Sequence, residues 1–587
     1  MKTHPMFPDL KFEPPGPGPW ELEKSHFIRP STRFGAEVMA RGVPRGFTKG
    51  MERYGLLMAR MNMVPVNGFG YAQMVPYGVP EGGGGGQPPP KAVLWLLFRL
   101  HPGIRARIQK CQRAFETKLW RADLERWDRS DKPRAIAQNR ALQAIDPASL
   151  DLGKLRDLVR RVRWHMEDMA TLHHEYNIAA ILPTGDYTAH TCEWTGASTG
   201  EVLALLQGTS PLARGIAIDE LEALGKALRA SEEGRAVLAG KGDPQGVLDA
   251  LVAVPGEVGA AARGYLDLVR YRSIGYDIAD KTAGELPDML VRAIRAVIDR
   301  DLKEKEALAA RDAKERELRA RVPAAHRAQF DELLGEARLV NRLRDERGIY
   351  ADSWGTGLAR RAVLEVGRRL AAAGKIGDPE LAVDLTMDEM FALLDDREGP
   401  SAEELAKRAL YRATMTLDHA PAWLNAPPGE PPPLDVFPAP ARRAMKAMNV
   451  LMADVFQEHA GPKPEEKDTV VRVAGLSINA GAYEGTARVV LDPADFGRIQ
   501  KGDVLVTRST SAYFNVVLPL LGAIVTDRGG QLSHAAIVAR EYGIPGIVGT
   551  KEATTTIPDG ALVRVDGEKG EVTVLAAAPA VSLEVAT

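Results

Sequence analysis

Cysteine is almost missing from this chain. Cys111 and Cys192 are the two present in 587 residues. They match neither a disulfide framework nor a metal-ligand spacing, which predicts a protein of the reducing cytoplasm. An excess of one charge is missing as well: 76 basic residues stand against 78 acidic ones, for a formal net charge of −2. That balance argues against a nucleic-acid or membrane-surface partner recruited by bulk charge. Long apolar runs are absent. AVLWLLF (92–98) is far too short to span a bilayer. The N-terminal MKTHPMFPDLKFEPPGPGPW has no apolar stretch of the secretory kind, so no signal peptide is expected. The His-Glu-x-x-His pattern of zinc enzymes is also absent, and no metal is expected.

What is present is a long chain of ordinary hydrophobic content, 45%. Its length suggests roughly two to four domains. Residues 1–80 are rich in Pro, Gly and aromatics and read as irregular, with PWELEKSHFIRPSTRF (19–34) as an extended arm. EGGGGGQPPP (81–90) reads as a flexible hinge followed by a stiff spacer. From 91 to 425 the apolar spacing is mostly helical, as in 152–177, 286–322 and 357–376. Thr386 and Glu389 form a capping-box signature. APPGEPPPLDVFPAPA (426–441) opens a second proline-rich linker, expected to run with a helix to 469.

After 470 the texture changes. GTARVVL, GDVLVTR, GAIVTD, PGIVGT, ALVRVDG and EVTVLA are short, β-branched and bounded by glycine. One strong helical stretch, 534–542, sits among them. The expected fold is therefore multidomain, α plus α/β. An N-terminal arm and linker (1–90) pack on a mainly helical domain (91–425). A compact β/α domain (470–577) and a short tail (578–587) follow.

The stretch GGQLSHAAIVAREYGIPGIVG (529–549) raises the functional question. Gly529 and Gly530 free the backbone, Ser533 is an N-cap, and His534 falls on the first helical turn. Unpaired N–H groups and the helix dipole favour an anion there. A neutral imidazole is a good nucleophile near neutral pH. A phosphohistidine suits this position; a histidine that merely caps or packs is the plainer alternative.

The longer segment IVTDRGGQLSHAAIVAREYGIPGIVGT (524–550) resembles the swivelling phosphohistidine domain of the phosphoenolpyruvate-utilising enzymes. GDVLVTRSTS and VDGEKGEV fit the same domain. The resemblance puts the phosphorylated histidine at His534. It departs at Leu532, where the dikinases carry a regulatory threonine, and at Ser511–Asn515, where they carry Asp-Pro and an aromatic. No ATP-grasp pattern and no phosphoenolpyruvate-binding barrel is recognisable. What remains resembles the acceptor-binding and histidine domains of rifampicin phosphotransferases and the histidine-bearing subunit of phenylphosphate synthases.

That resemblance implies a phosphotransferase component. A separate ATP-grasp subunit, holding Mg and ATP, would phosphorylate His534. A small hydroxyl acceptor, phenolic or otherwise apolar, would receive the phosphoryl group in the helical domain. No tightly bound cofactor is implied in this chain. A non-catalytic scaffold, or a stand-alone enzyme using another donor, are the alternatives.

Phosphoryl transfer to a hydroxyl needs cations around the moving group and a base for the proton. NRLRDERGIYADSWG (341–355) offers Arg344, Glu346 and Arg347. By resemblance Arg344 matches an arginine of the rifampicin enzymes, whose following lysine is Gly348 here; a surface charge cluster is the alternative. HMEDMATLHHEYN (165–177) offers His165, His173 and His174. His26, Arg29 and Arg33 in the arm are weaker candidates, as is Arg508 after a strand of the last domain. Arg540 reads equally well as structural. Tyr176, Trp194, Tyr350 and Trp354 are the aromatic residues available to an apolar acceptor.

Overall fold

The computed structural model describes residues 3–24, 27–79, 89–210, 217–240, 242–298, 303–456, 471–479, 481–491, 493–510, 514, 517–531 and 533–576. They form two compact units. The first comprises Met1–Asp186, Tyr271–Thr282 and Leu343–Met448. The second comprises Tyr187–Arg270, Ala283–Arg342 and Asn449–Thr587. The helical residues between 91 and 425 thus contribute to both.

In the first unit the long helix Leu152–Glu175 packs against two others, Arg33–Arg53 and Ser353–Ala372. Asp151 caps Leu152–Glu175 by accepting from Lys154 N at 2.8 Å. Its apolar stripe, Leu155, Leu158, Val159, Val162, Met166 and Met169, is buried, as the 3.6-residue spacing requires. The Thr386–Glu389 capping box forms as its sequence signature suggests. A four-stranded antiparallel sheet runs in the order Met58–Val66, Phe69–Pro76, Trp20–Leu22, Trp423–Leu424.

The irregular reading of residues 1–80 is corrected here. Trp20–Leu22 is extended, but 33–53 is a helix and 58–76 a hairpin. The turn is Asn67-Gly68, both at positive φ (51° and 77°), the pairing favoured by two-residue hairpins. The glycines that suggested irregularity serve close packing instead. A Cβ at Gly46 would lie 2.4 Å from Thr171 O and 2.6 Å from His174 Cβ. Gly42 and Gly50 meet the same helix at Glu167 O and Glu175 O.

The second unit joins a helical part, including Ile218–Ala230, Glu257–Val269, Pro287–Ile298 and Lys303–Arg321, to an eight-stranded sheet. The helical reading of 286–322 is met by the last two of these helices; residues 299–302 between them lie outside the described residues. The strand order is Arg472–Ala474, Glu571–Ala576, Leu562–Asp566, Ala482–Val489, Asp503–Thr507, Leu521–Thr526, Gly546–Val548, Leu476–Asn479. The four from Ala482–Val489 to Gly546–Val548 are parallel and the remaining pairings antiparallel. Asp503–Thr507 is buried along its whole length, which is why GDVLVTR reads as a continuous apolar run and not an alternating one. The helix His534–Tyr542 is the crossover between two parallel neighbours, Leu521–Thr526 and Gly546–Val548.

Gly522 lies under the Tyr483 ring, and a Cβ there would fall 2.0 Å from ring carbons. Tyr483 is itself held by a 3.0 Å bond from its hydroxyl to Gly502 O. Gly522→Ala is expected to destabilise this sheet by ~1–3 kcal/mol through overpacking. A lowered denaturant midpoint would show it, whereas an unchanged midpoint would mean that the ring moves aside freely.

Candidate functional site

Two groups of sequence candidates take shape, one in each unit. In the second unit the His534 loop is built by the neighbouring strands. Thr507 O and Arg508 O accept from Asp527 N and Arg528 N, each at 3.0 Å, so the strand ends stay paired up to the glycines. The Asp527 carboxylate accepts from Thr554 N at 3.0 Å and from the Thr550 and Thr554 hydroxyls, tying the loop to the next turn. Gly529 has φ 110°, and a Cβ there would lie 2.8 Å from Ser533 Cβ. Only glycine fits this backbone. Gly530 O accepts from Ser533 N at 3.0 Å and closes the turn. Ser533 Oγ accepts from Ala536 N at 3.3 Å as the N-cap, and Gly543 ends the helix in the left-handed conformation.

His534 is thereby the first helical residue, half-buried, with Nδ1 3.0 Å from Thr510 Oγ1. When Nδ1–H donates to that hydroxyl, the lone pair lies on Nε2. Thr510 follows Arg508, which is half-buried beside the loop. Arg540 is not part of an anion site. Its guanidinium is buried, donating through Nε to Ile478 O at 3.0 Å and through Nη1 to Gln531 O at 2.5 Å, with Gln531 Oε1 as a further partner. Leu532, Ser511, Ala512, Tyr513 and Asn515 lie outside the described residues.

In the first unit the structure gathers His173, His174, Arg344 and Arg347 and adds Asp352 and Tyr276. The helix Arg327–Arg347 runs into a π turn, Gly348–Asp352, which delivers Asp352 toward the histidines. His173 Nδ1 is 3.0 Å from Asp352 Oδ2, and Arg347 Nη1 donates to His173 O at 3.1 Å. His174 stacks on His173 with ring centroids 4.5 Å apart, and its Nδ1 lies 2.8 Å from Ala170 O. Burial, and next the neighbouring His173, hold the His174 imidazole well below its ordinary value. Burial pushes the Asp352 carboxyl up to about 6, against the opposing pull of His174 and Arg347. Burial also lowers Arg347 to about 10, helped by the like charge of Arg344, and lowers Arg344 as well. The Tyr276 hydroxyl is raised by burial and then by the Asp352 charge.

Other candidates are committed elsewhere. Glu346 accepts from Trp127 Nε1 at 2.8 Å and pairs with Lys132 at 3.0 Å, a buried support and not a ligand group. His165 is buried against Asn139 Oδ1 at 2.9 Å, and burial lowers it to about 4. Arg29 pairs with Asp280 at 2.5 Å and Arg33 with Glu389 at 3.8 Å, pinning the arm. Tyr176 and Trp354 are fully buried, and their polar atoms bond to Asp131 and Gln143. His26 lies outside the described residues. No group of three His, Cys, Asp or Glu able to hold a metal occurs among the described residues. Among these residues, too, no helix is long and apolar enough to cross a membrane.

Asp352 gives a pH prediction with a definite sign. Its folded pKa of about 6 lies above the unfolded value of ~3.9. The stability tied to its protonation is full below ~4 and is lost as pH rises through about 6. Asp352→Asn keeps the cap on Ser353 N. It is expected to stabilise the protein by about 3 kcal/mol above neutral pH and by little in acid. Denaturant midpoints that change equally at both pH values would contradict this.

Residues 499–570 match the mobile domain of PEP-utilising enzymes, and residues 173–345 match the fourth domain of rifampicin phosphotransferase. The chain is 34% identical over 263 residues to a chondramide synthase of Chondromyces crocatus, covering 44% of this chain and 6% of that protein. It is 30% identical over 249 residues to the uncharacterized phosphotransferase YvkC of Bacillus subtilis, 42% of this chain and 27% of that one. It is 28% identical over 405 residues to a rifampicin phosphotransferase of a Streptomyces species, 65% of this chain and 42% of that one. The chain thus spans less than half the length of these relatives and resembles the PEP-utilising enzymes through the two matched segments.

Proposed function

We propose that this chain is a phosphotransferase component that carries a phosphoryl group on His534 and gives it to a small hydroxyl compound. The observation that carries the reading is the seat of His534. It is the first residue of a capped helix, behind a glycine loop that only glycine can form, with Thr510 Oγ1 on Nδ1. That tautomer puts the lone pair on Nε2, the nitrogen assigned as the nucleophile, and helix N-terminal N–H groups suit the dianion that results. The match of this segment to a mobile domain of PEP-utilising enzymes supports the same role.

In the first half-reaction Nε2 attacks a phosphorus of the donor and the bond from that phosphorus to the leaving oxygen breaks. In the second the acceptor oxygen attacks phosphorus, the N–P bond breaks, and the hydroxyl proton goes to a base. The donor side is assigned to a separate ATP-grasp subunit that holds Mg and ATP. The acceptor is assigned to the helical residues, and a phenolic or other apolar hydroxyl fits the aromatic content there.

The test exploits a convenient peptide. Trypsin releases Gly529–Arg540, in which His534 is the single histidine. Phosphoramidate, a non-enzymatic phosphoryl donor to imidazole, loads the intact protein, and mass spectrometry follows the acid-labile group on that peptide. Discharge by phenol with formation of phenyl phosphate supports the reading. A peptide that never loads, or that loses its phosphoryl group no faster with phenol than in buffer, leaves a scaffold role as the better account.

A further inference from the structure

We propose that the helix Lys91–Leu100, with the basic stripe of the helix that follows it, docks this protein on the surface of an anionic lipid bilayer. The inference stands on residues of the first unit alone and does not depend on the phosphotransfer reading.

The run AVLWLLF (92–98) lies in this helix and belongs to neither group of site residues. Leu94 and Phe98, one turn apart, are the residues it buries. They enter an apolar cluster with Ile104, Ile108, Val436 and Phe437, where the Phe98 and Phe437 rings stack 4.6 Å apart. That is one narrow stripe. Val93, Trp95, Leu96, Leu97 and Leu100 remain 39% to 67% exposed, at positions where a helix that only fills a core carries polar residues. Elsewhere among the described residues, exposed large apolar side chains stand one at a time along the chain. Single ones are ordinary, whereas a contiguous group marks a contact surface.

The surrounding charge says what kind of contact. No Asp or Glu occurs from residue 82 to 115, a segment that holds Lys91, Arg99, Arg105, Arg107, Lys110 and Arg113. Arg107 is used inside the protein, donating to Leu56 O at 2.7 Å and Met58 O at 2.9 Å, and Lys91 lies 3.7 Å from Asp435. The helix Pro102–Glu116 buries Ile104 and Ile108 in the same apolar cluster as Leu94 and Phe98. Its exposed stripe, with Arg105, Gln109 and Arg113, is therefore turned away from that cluster, as the apolar face of Lys91–Leu100 is. The balanced charge of the whole chain is no obstacle. Screening over ~8 Å at physiological salt leaves a surface to feel the local patch.

A bilayer surface matches both halves of this pattern. The Arg99 guanidinium lies 4.2 Å from the Trp95 ring centroid, and its Nη1 donates to Trp95 O and Val436 O, each at 3.1 Å. A cation is thus held at the level of an exposed tryptophan, and both residue types settle at the headgroup layer. Ten residues of helix measure ~15 Å, about half the hydrocarbon thickness, so this helix lies flat and does not cross. Leucine and tryptophan enter the acyl boundary while the cations meet anionic headgroups. A second copy of the chain fits less well, because it sets the same cations against one another with no acid in the segment to answer them.

The experiment sediments the full chain with vesicles of phosphatidylcholine alone, and with vesicles in which roughly a third of the lipid is phosphatidylglycerol. Wild type should bind the mixed vesicles, bind the neutral ones weakly, and be released by salt. Leu96→Ser with Leu97→Ser should lower the partition coefficient about tenfold or more. Arg105→Gln with Arg113→Gln should lower it about twentyfold on mixed vesicles and little on neutral ones, at about fivefold for each charge. Trp95→Phe should still bind but lose quenching by lipids brominated on the acyl chain. Denaturant midpoints should match wild type, since all five positions are exposed. Were the serine pair to lower the midpoint, the arginine pair and the quenching decide the matter. Wild type that stays in the supernatant with both vesicles overturns the inference, as does a partition unchanged in the serine or the arginine pair. Equal quenching in wild type and Trp95→Phe overturns it too, because another face then enters the lipid. Wild type that ignores vesicles but forms dimers dissolved by Leu96→Ser with Leu97→Ser overturns it in favour of a second copy.

Discussion

Replacing His534 by alanine is expected to erase acid-labile phosphate from the Gly529–Arg540 peptide and to bring transfer to phenol down to the uncatalysed background. The effect is all-or-none because a nucleophile that forms the covalent intermediate has no substitute nearby on the helix. Ala535, Ala536, Ile537, Val538 and Ala539 follow it, and none carries a nucleophile. The fold should not notice. His534 is half-buried at the first helical position, alanine has the best helix propensity, and Ser533 still caps Ala536 N. A stability change within about 0.5 kcal/mol is expected for a site of this kind. The pairing of lost transfer with an unchanged denaturant midpoint is the diagnostic result. A variant that still forms phenyl phosphate would remove His534 from the mechanism.

Arg540→Ala should show the opposite pattern, a large loss of stability that takes function with it. The guanidinium bridges Ile478 O on one strand and Gln531 O at the end of the glycine loop. Gln531 in turn donates through Nε2 to Ser477 O at 2.7 Å, so the loop is tied twice to the 476–479 strand. Without the arginine at least two buried carbonyls lose their donor, at ~1–3 kcal/mol each. A total near ~3 kcal/mol is expected, with slowed loading of His534 because the loop loses its support. Lysine has a single ammonium in place of the planar fork and should rescue little. Chemical denaturation of wild type and both variants, read beside loading rates, separates the cases. A stable Arg540→Ala that loads slowly would mean that Arg540 contacts the phosphoryl group instead.

The last domain was legible because its strands are short, β-branched and marked off by glycine. Each of the six runs from GTARVVL to EVTVLA overlaps a strand. The two it concealed, Arg472–Ala474 and Leu476–Asn479, are brief edge strands with no such pattern. The His534 loop was legible for a local reason: glycine pair, cap and helix all act within ten residues. The cluster in the first unit was only half legible. Arg344, Arg347 and the two histidines stand out by charge, but Asp352 and Tyr276 arrive through a π turn and a segment near 276, and no sequence period announces either. Glu346 misled because an acid beside arginines looks like part of their cluster, while its position on the helix turns it to Trp127 and Lys132. Residues 33–53 misled because glycine at every fourth position resembles a loop when it is a contact face.

That glycine face bears on how the acceptor specificity of such a protein can change. The helix bearing His173 and His174 is approached closely by Gly42, Gly46 and Gly50, so main-chain contact helps to locate it beside its buried apolar stripe. Substitutions at surrounding apolar positions can then repack side chains with less displacement of the histidines, since part of what holds this helix has no rotamers to change. The arrangement separates the parts that must stay still from the parts free to vary. Variants selected for new acceptors should therefore accumulate changes around this helix pair while leaving the three glycines alone.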